Sequence, residues 1–389
     1  MSLLCVPVLL GVICVVWLFA VKLADFDKIH SLLSPDLTVS LADQLRRRAL
    51  ANVRLKNAFQ INSTFVEGDV AGHSAFVRNA IQLISPRKTP LCRLAEVAKQ
   101  TAEMYIEDAI PFDTAVRRTV MRVILVGMLS DFVDESTISA GDIDLVTRGI
   151  NELWTLSKSS VYRPDLLTAI NSCLRRWLPT YANPLEIIIP TYETMWRVVA
   201  IAVALAHDNR HALSVFTRLL QQPTHEQYRE VNDGDRYSAD NFMQEILRLY
   251  PPTRRISRVV PVSNVPIFGI LFPQLFTRNF MIAADVEALQ RDSVWGNSRG
   301  EFDPVRHQPQ RCTEQQSNTL LAFGTGKLAC VAKNWAPQVA AIIAAAFLEQ
   351  VGQERDLVVE AGKTIGGREG WEGWSVRKNP ERLPVPVGE

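Results

Sequence analysis

Phe323-Gly324-Thr325-Gly326-Lys327-Leu328-Ala329-Cys330-Val331-Ala332 is the stretch that decides how this chain is read. Its two glycines let the backbone turn where a Cβ would obstruct it. The loop ends in one cysteine and opens onto an apolar run with helical spacing. A cysteine at a helix start is expected to feel free N–H groups and the positive end of the macrodipole. Both favour thiolate over thiol. Such a loop can present one sulphur to an iron held in a flat macrocycle.

The rest of the composition narrows the class. The chain has 389 residues and is 47% hydrophobic, enough for a large core. A net charge of +1 gives no overall pull towards nucleic acid, and no nucleic-acid partner is expected. The cysteines Cys5, Cys14, Cys92, Cys173, Cys312 and Cys330 are scattered and form no CxxC pair. That argues against zinc and a disulfide framework, and for a reducing compartment.

Leu3 to Val21 is an uncharged run of 19 residues, long enough to cross a bilayer. It lacks a basic start and a small-residue cleavage site, so an uncleaved transmembrane anchor over residues 1–22 is expected. The remaining domain would span residues 23–389. Arg46, Arg47 and Arg48 favour a cytosolic body. The sequon Asn62-Ser63-Thr64 would then be silent.

Most of the chain has helical spacing, with no internal repeat. Asp113 or Thr114 is placed to cap a helix running to about Gly127. Asn183-Pro184 opens a long apolar helix to about His207, in which Pro190 predicts a kink. Its charges Glu186, Glu193 and Arg197 argue against a second membrane span. A helix is expected over 237–250, short strands over 255–270, and a helix from Cys330 to about Val351 bent at Pro337. The tail from Gly362 predicts loops with short strands.

Two further signals precede the cysteine loop. Glu245 and Arg248 lie three residues apart and share a helix face. Alone, such a pair is most simply a surface ion pair. Arg306, in Phe302-Asp303-Pro304-Val305-Arg306, could join them in a buried network through its planar fork. The three motifs follow one order: Glu-x-x-Arg, Phe-x-Pro-x-Arg, then Phe-Gly-x-Gly-x-x-x-Cys. In that order and spacing the chain resembles the cytochrome P450 family, over about residues 65 to 375. Ala288-Leu289-Gln290-Arg291-Asp292 and Trp295-Gly296 resemble the family's approach to the second motif.

The resemblance implies a mainly α fold with small β-sheets. It implies haem b as cofactor, Cys330 as axial iron ligand, and Phe323, Gly324 and Gly326 against the macrocycle. Glu245, Arg248 and Arg306 would form a structural network. Pro190-Thr191-Tyr192-Glu193-Thr194 resembles the element that crosses the distal haem face, with Glu193 and Thr194 delivering protons. His73, Arg78 and Arg258 (or Arg255) are the candidates for the haem propionates. The implied activity is insertion of one oxygen atom from dioxygen into a small apolar substrate of secondary-metabolite type. Electrons would come from NADPH through a separate flavoprotein reductase. The implied setting is the endoplasmic reticulum membrane, with the catalytic domain facing the cytosol.

Four departures from the family pattern bear on this. Leu328 stands where the family usually has a propionate-binding arginine, with Lys327 beside it as a possible substitute charge. Ala332 replaces a glycine, and Pro190-Thr191 replaces an Ala-Gly pair. Only about 50 residues separate the expected anchor from His73, so the N-terminal β lobe is expected to be incomplete. These departures leave two alternatives: a peroxide-using or rearranging haem-thiolate enzyme, or a truncated, inactive membrane protein of the same family.

Overall fold

The computed structural model describes residues 21–36, 38–263, 277–352 and 355–380. The expected membrane anchor lies almost wholly in residues 1–20, outside the described residues. Val21 and Lys22, expected at its end, instead belong to strand β1 (Val21–Leu23), so the folded body takes in residues assigned to the anchor. Positions 264–270 of the expected strand region also lie outside the described residues.

The amino-terminal half is helical: α1 (Phe26–Leu33), α2 (Leu41–Ala51), α3 (Val53–Phe59), α4 (Val70–Leu83), α5 (Leu91–Tyr105), α6 (Phe112–Arg122), α7 (Ala140–Ser157) and α8 (Pro164–Trp177). Asp113 does not cap α6. The helix begins one residue earlier, and Asp113 sits in its first turn, 2.9 Å from Arg117. The helix then widens into a π-turn over Val123–Met128 rather than continuing regularly to Gly127.

The expected central helix is present in two pieces, α9 (Leu185–Tyr192) and α10 (Met195–Ala206). Pro190 lies inside α9, and the break falls at Glu193 and Thr194, just after it. Among the described residues this run alone is long and apolar enough to cross a membrane, yet most of it is buried in protein. There follow α11 (Arg210–Gln221), α12 (His225–Arg229) and α13 (Ala239–Leu249), whose start is closed by a reciprocal Ser238–Asn241 capping box.

Strands β2 (Arg255–Ser263) and β3 (Thr277–Asp285) pair antiparallel, and β1 adds to β3 in parallel. The β lobe is therefore a sheet of order β1-β3-β2, with a very short edge strand. Short helices α14 (Val286–Leu289) and α15 (Glu314–Asn318) lead to the cysteine loop and to α16 (Ala336–Gln350). Pro337 occupies the first turn of α16, the position a proline tolerates, and is not a bend. The tail forms the hairpin β4 (Leu357–Glu360) and β5 (Ser375–Lys378).

Helix α16 is apolar on every side and is buried from Pro337 to Leu348. It packs on α5, α10 and α11, forming the centre of the core. The tail is stapled to that core by Phe112, which touches Phe347, Trp371 and Trp374 with ring centroids 5.3–5.7 Å apart. Ile343, fully buried on α16, tests this centre. Ile343→Ala is expected to cost about 3 kcal/mol. The check is a lowered urea midpoint at unchanged m-value.

Candidate active site

The Glu245 carboxylate is fully buried and accepts five hydrogen bonds. Its Oε1 takes Arg248 Nη2 (2.8 Å), Arg306 Nε (3.0 Å) and the Asp303 N–H (3.0 Å). Its Oε2 takes Arg248 Nε (2.7 Å) and His307 Nε2 (2.7 Å). The surface-pair reading of Glu245 and Arg248 is thereby overturned: both side chains have no exposure. The expected partner Arg306 is present, and His307 joins it. The only available signal for His307 was its place directly after Arg306.

Arg248 also donates to the carbonyls of Gln290 (3.0 Å) and Arg299 (2.8 Å), and lies 4.9 Å from the Trp295 ring centroid. Gln290, fully buried, extends the network. Its amide nitrogen donates to the carbonyls of Leu247 and Arg248, and its Oε1 accepts the Leu321 N–H at 2.8 Å. Leu321 lies two residues before Phe323. One polar chain thus connects the end of α13 to the start of the cysteine loop.

The loop is as tight as its glycines suggest. Gly324 has φ +67° and Gly326 φ +70°. A Cβ on Gly326 would lie 2.7–3.0 Å from Ser34, at the end of α1. The Cys330 N–H bonds to the Phe323 carbonyl at 2.9 Å, closing the loop. The expectation of a macrodipole-stabilised thiolate is not met. Helix α16 begins six residues further on. The Cys330 residue is exposed at the surface, yet the protein packed around its sulphur pushes the thiol up, only partly offset by the Ala332 N–H.

The candidate propionate residues divide. His73 and Arg258 converge, and Arg48, which sequence reasoning used only as a topology signal, joins them. Arg48 approaches His73 Nδ1 at 3.4 Å and donates to the Thr64 carbonyl at 2.7 Å. Burial lowers Arg48 to about 10, against the opposing charge of Glu67. Burial and then the charge of Arg48 lower Arg258 to about 10. Burial and Arg48 also lower His73. None of the three has a carboxylate within ion-pair distance among the described residues. Arg48 Nε is buried without a partner, and among the described residues Arg258 donates only to the neighbouring Ser257 carbonyl (2.9 Å).

Helix α2, which carries Arg48, packs on both Gly326–Leu328 and β2, so these cations border the cysteine loop. A sulphur ligand beside unanswered cations is a donor set suited to haem: iron at Cys330, propionates at Arg48, His73 and Arg258. Arg78 is not brought in. It lies exposed on another face of α4, as does Lys327 on the loop. Arg255 is engaged by Asp285 at 3.4 Å.

The central helix presents a different face from the one expected. Thr191 and Met195 line a narrow apolar gap, with room for about one water, against Trp335 and α16. Glu193 lies about 200° round the helix from Thr191. It is buried in ion pairs with Arg197 (2.7 Å) and Arg368. The acid expected to deliver protons is thus committed to two arginines. Thr191 is back-bonded instead of free, its Oγ1 donating to the Ile187 carbonyl at 2.7 Å. Thr194 Oγ1 has no hydrogen-bond partner among the described residues.

Comparison with known proteins agrees with this arrangement. The family model described as Cytochrome P450 matches residues 237–351, which include the Glu245 network and the cysteine loop. Cytochrome P450 72A11 of Arabidopsis thaliana is 29% identical over 116 residues, 29% of this chain. The match spans 22% of that relative's length. The fold is similar to that of a cytochrome P450DA haem domain (TM-score 0.58, 13% identity, covering 94% of this chain and 88% of that one). It is also similar to a six-coordinated cytochrome P450 from Thermus thermophilus (TM-score 0.59, 14% identity, 92% of each chain).

Burial alone would raise the Glu245 carboxyl. Hydrogen bonds from Arg248 and His307, with Arg248's charge and the Asp303 N–H, outweigh it and hold the group below its ordinary 4.5. Its contribution is therefore present above about pH 4.5 and lost as pH falls through the lowered folded value. Glu245→Gln leaves buried guanidiniums without their carboxylate and is expected to cost about 3–5 kcal/mol at neutral pH. Chemical denaturation should show this difference shrinking below about pH 4.

Proposed function

We propose that the chain is a member of the cytochrome P450 family and a haem-thiolate monooxygenase inserting one atom of dioxygen into a substrate with an apolar body. The observation that carries this is the Cys330 loop bordered by His73 and by the guanidiniums of Arg48 and Arg258, which have no carboxylate within ion-pair distance among the described residues. Bound haem, taken as haem b, supplies the dioxygen reduction and oxygen transfer. Cys330 would hold the iron through Sγ, with the Ala332 N–H donated to that sulphur. Arg48 and Arg258 would bind propionate oxygens through guanidinium N–H groups and gain the anions they lack.

The Glu245 network would keep the loop at fixed height through Gln290 and Leu321. Thr194 Oγ1, free of protein partners among the described residues, is the group we assign to proton delivery. Glu193 would act by fixing the break in the helix beside it. We further propose that electrons arrive from NADPH through a separate flavoprotein reductase. The uncharged run Leu3–Val21 supports attachment to the endoplasmic reticulum membrane with a cytosolic body. Trp196 after the Glu193-Thr194 pair and Asn334-Trp335 after the cysteine resemble fungal secondary-metabolism members of the family and support a secondary-metabolite role.

The ion-paired state of Glu193, with Pro190-Thr191 before it, favours one second reading: peroxide-driven or rearranging chemistry without a reductase. Oxygenation of substrate by added hydrogen peroxide, with none under reductase and NADPH, would select it.

Cys330→Ser is expected to abolish reductase-dependent turnover, and an active variant would overturn the proposal. Arg48→Gln should weaken haem retention by about tenfold, the order of one charge-assisted hydrogen bond. It should leave the haem-free protein as stable or more stable, because it removes a buried charge lacking an anion. Haem titration and thermal melts of both forms check this.

A further inference from the structure

A second group of cations lacks sufficient anions. It comprises Arg197 on α10 and Arg368 in the tail, both paired with Glu193, Arg54 on α3, which shares the Trp154 ring with Arg368, and Lys158 at the end of α7, next to the Ser157 to which Arg54 donates. Glu193 answers Arg197 and Arg368. Glu369, which accepts the Thr155 hydroxyl at 2.9 Å, acts more distantly on Lys158 and Arg368. Four cations thus face two carboxylates, which leaves two positive charges unmatched. Arg254, the next cation, is answered by Glu287 at 3.6 Å.

The unmatched charge is localised at Arg54. It has no carboxylate within ion-pair distance among the described residues. Its Nη1 donates to the Ser157 hydroxyl at 2.5 Å, and its guanidinium lies 5.9 Å from the Trp154 ring centroid. Arg368 lies 4.7 Å from the same centroid, and its Nε is buried with no partner. Trp154 packs on Phe59 and Phe65, ring centroids 5.9 and 6.2 Å away. Two guanidinium forks therefore flank one aromatic ring, with Lys158 one residue beyond Ser157. Lys158 is exposed, so the group reaches solvent. An open cleft lined by Lys56, Asn57, Gln60, Asn62 and Tyr162 lies beside it, on the helix that carries Arg54.

We propose that Arg54, Lys158 and Arg368, arranged about Trp154, form a carboxylate-binding subsite, and that the substrate is an acid with an apolar body. The guanidinium forks match a carboxylate in shape and donor count. The partly exposed Trp154 and Phe65 rings, backed by the buried Phe59, take adjacent apolar atoms. The position follows from Glu193: the residue that binds Arg368 also precedes Thr194, so the anionic end of the substrate lies near the proposed chemistry. This rests on the monooxygenase reading for its purpose, but the subsite itself does not need haem.

The test is calorimetric titration of the purified full-length chain with decanoate and with decanamide, its neutral counterpart. Decanoate should bind at least about tenfold more tightly, the order of one charge-assisted hydrogen bond. Arg54→Gln, which breaks no ion pair, should remove that preference and leave decanamide binding unchanged. Arg54→Lys should restore part of it, with thermal melts confirming that both variants fold. Equal affinity for the two ligands, no binding of either, or a preference that survives Arg54→Gln would overturn the proposal. A retained decanoate preference in a chain that fails to take up haem would support the subsite while removing the monooxygenase reading.

Discussion

The buried Glu245 carboxylate is the point through which the rest of this structure is held in register. An ionised group with no exposure is tolerated only when its charge is matched and its lone pairs are filled. Arg248, Arg306, His307 and the Asp303 N–H do both. The consequence is geometric. Two segments far apart in sequence, 245–248 and 303–307, must meet at one carboxylate, and Gln290 transmits that meeting to Leu321 and the cysteine loop. The loop is thus positioned by a polar network on one side. On the other, Gly326 closes against Ser34, where a side chain would not fit.

Elsewhere the electrostatics are incomplete by comparison. Arg48, His73 and Arg258 lie together with no carboxylate within ion-pair distance among the described residues, and burial lowers all three against the more distant charge of Glu67 on Arg48 and His73. Arg54 and Arg368 share the Trp154 ring with too little opposing charge. A core built only for stability would pair such groups or expose them. The two clusters differ in what borders them. The first adjoins the Cys330 loop. The second adjoins the partly exposed Trp154 ring, which suits the organic acid we propose.

Much of this was legible in the sequence because it depends on spacing. Glu245 and Arg248 three apart, Arg306 at a fixed distance before Cys330, and glycines at 324 and 326 are covalent facts that the fold uses directly. The helix expected over 237–250, observed over 239–249, and the break after Pro190 followed from helical spacing and proline chemistry. What was not legible depends on which way a side chain turns in the packed chain. Glu193 has the spacing of a proton donor, but its face of the helix meets Arg197 and Arg368. Arg48 resembles its neighbours Arg46 and Arg47 until α2 packs beside the loop. Arg78 and His73 share a helix and still point apart. The thiolate expectation at Cys330 assumed that a helix begins at once, whereas α16 starts at Ala336.

The central claim is that Cys330 is a thiolate ligand to haem iron in a loop fixed by the Glu245 network. The measurement that tests it most directly is the absorption spectrum of the reduced, carbon monoxide-bound protein. A Soret band strongly shifted to the red, the feature for which the cytochrome P450 family is named, is the predicted result. A band at the unshifted position, or protein that takes up no haem, would contradict the account, because the sulphur would then not be the ligand that the loop is built to present.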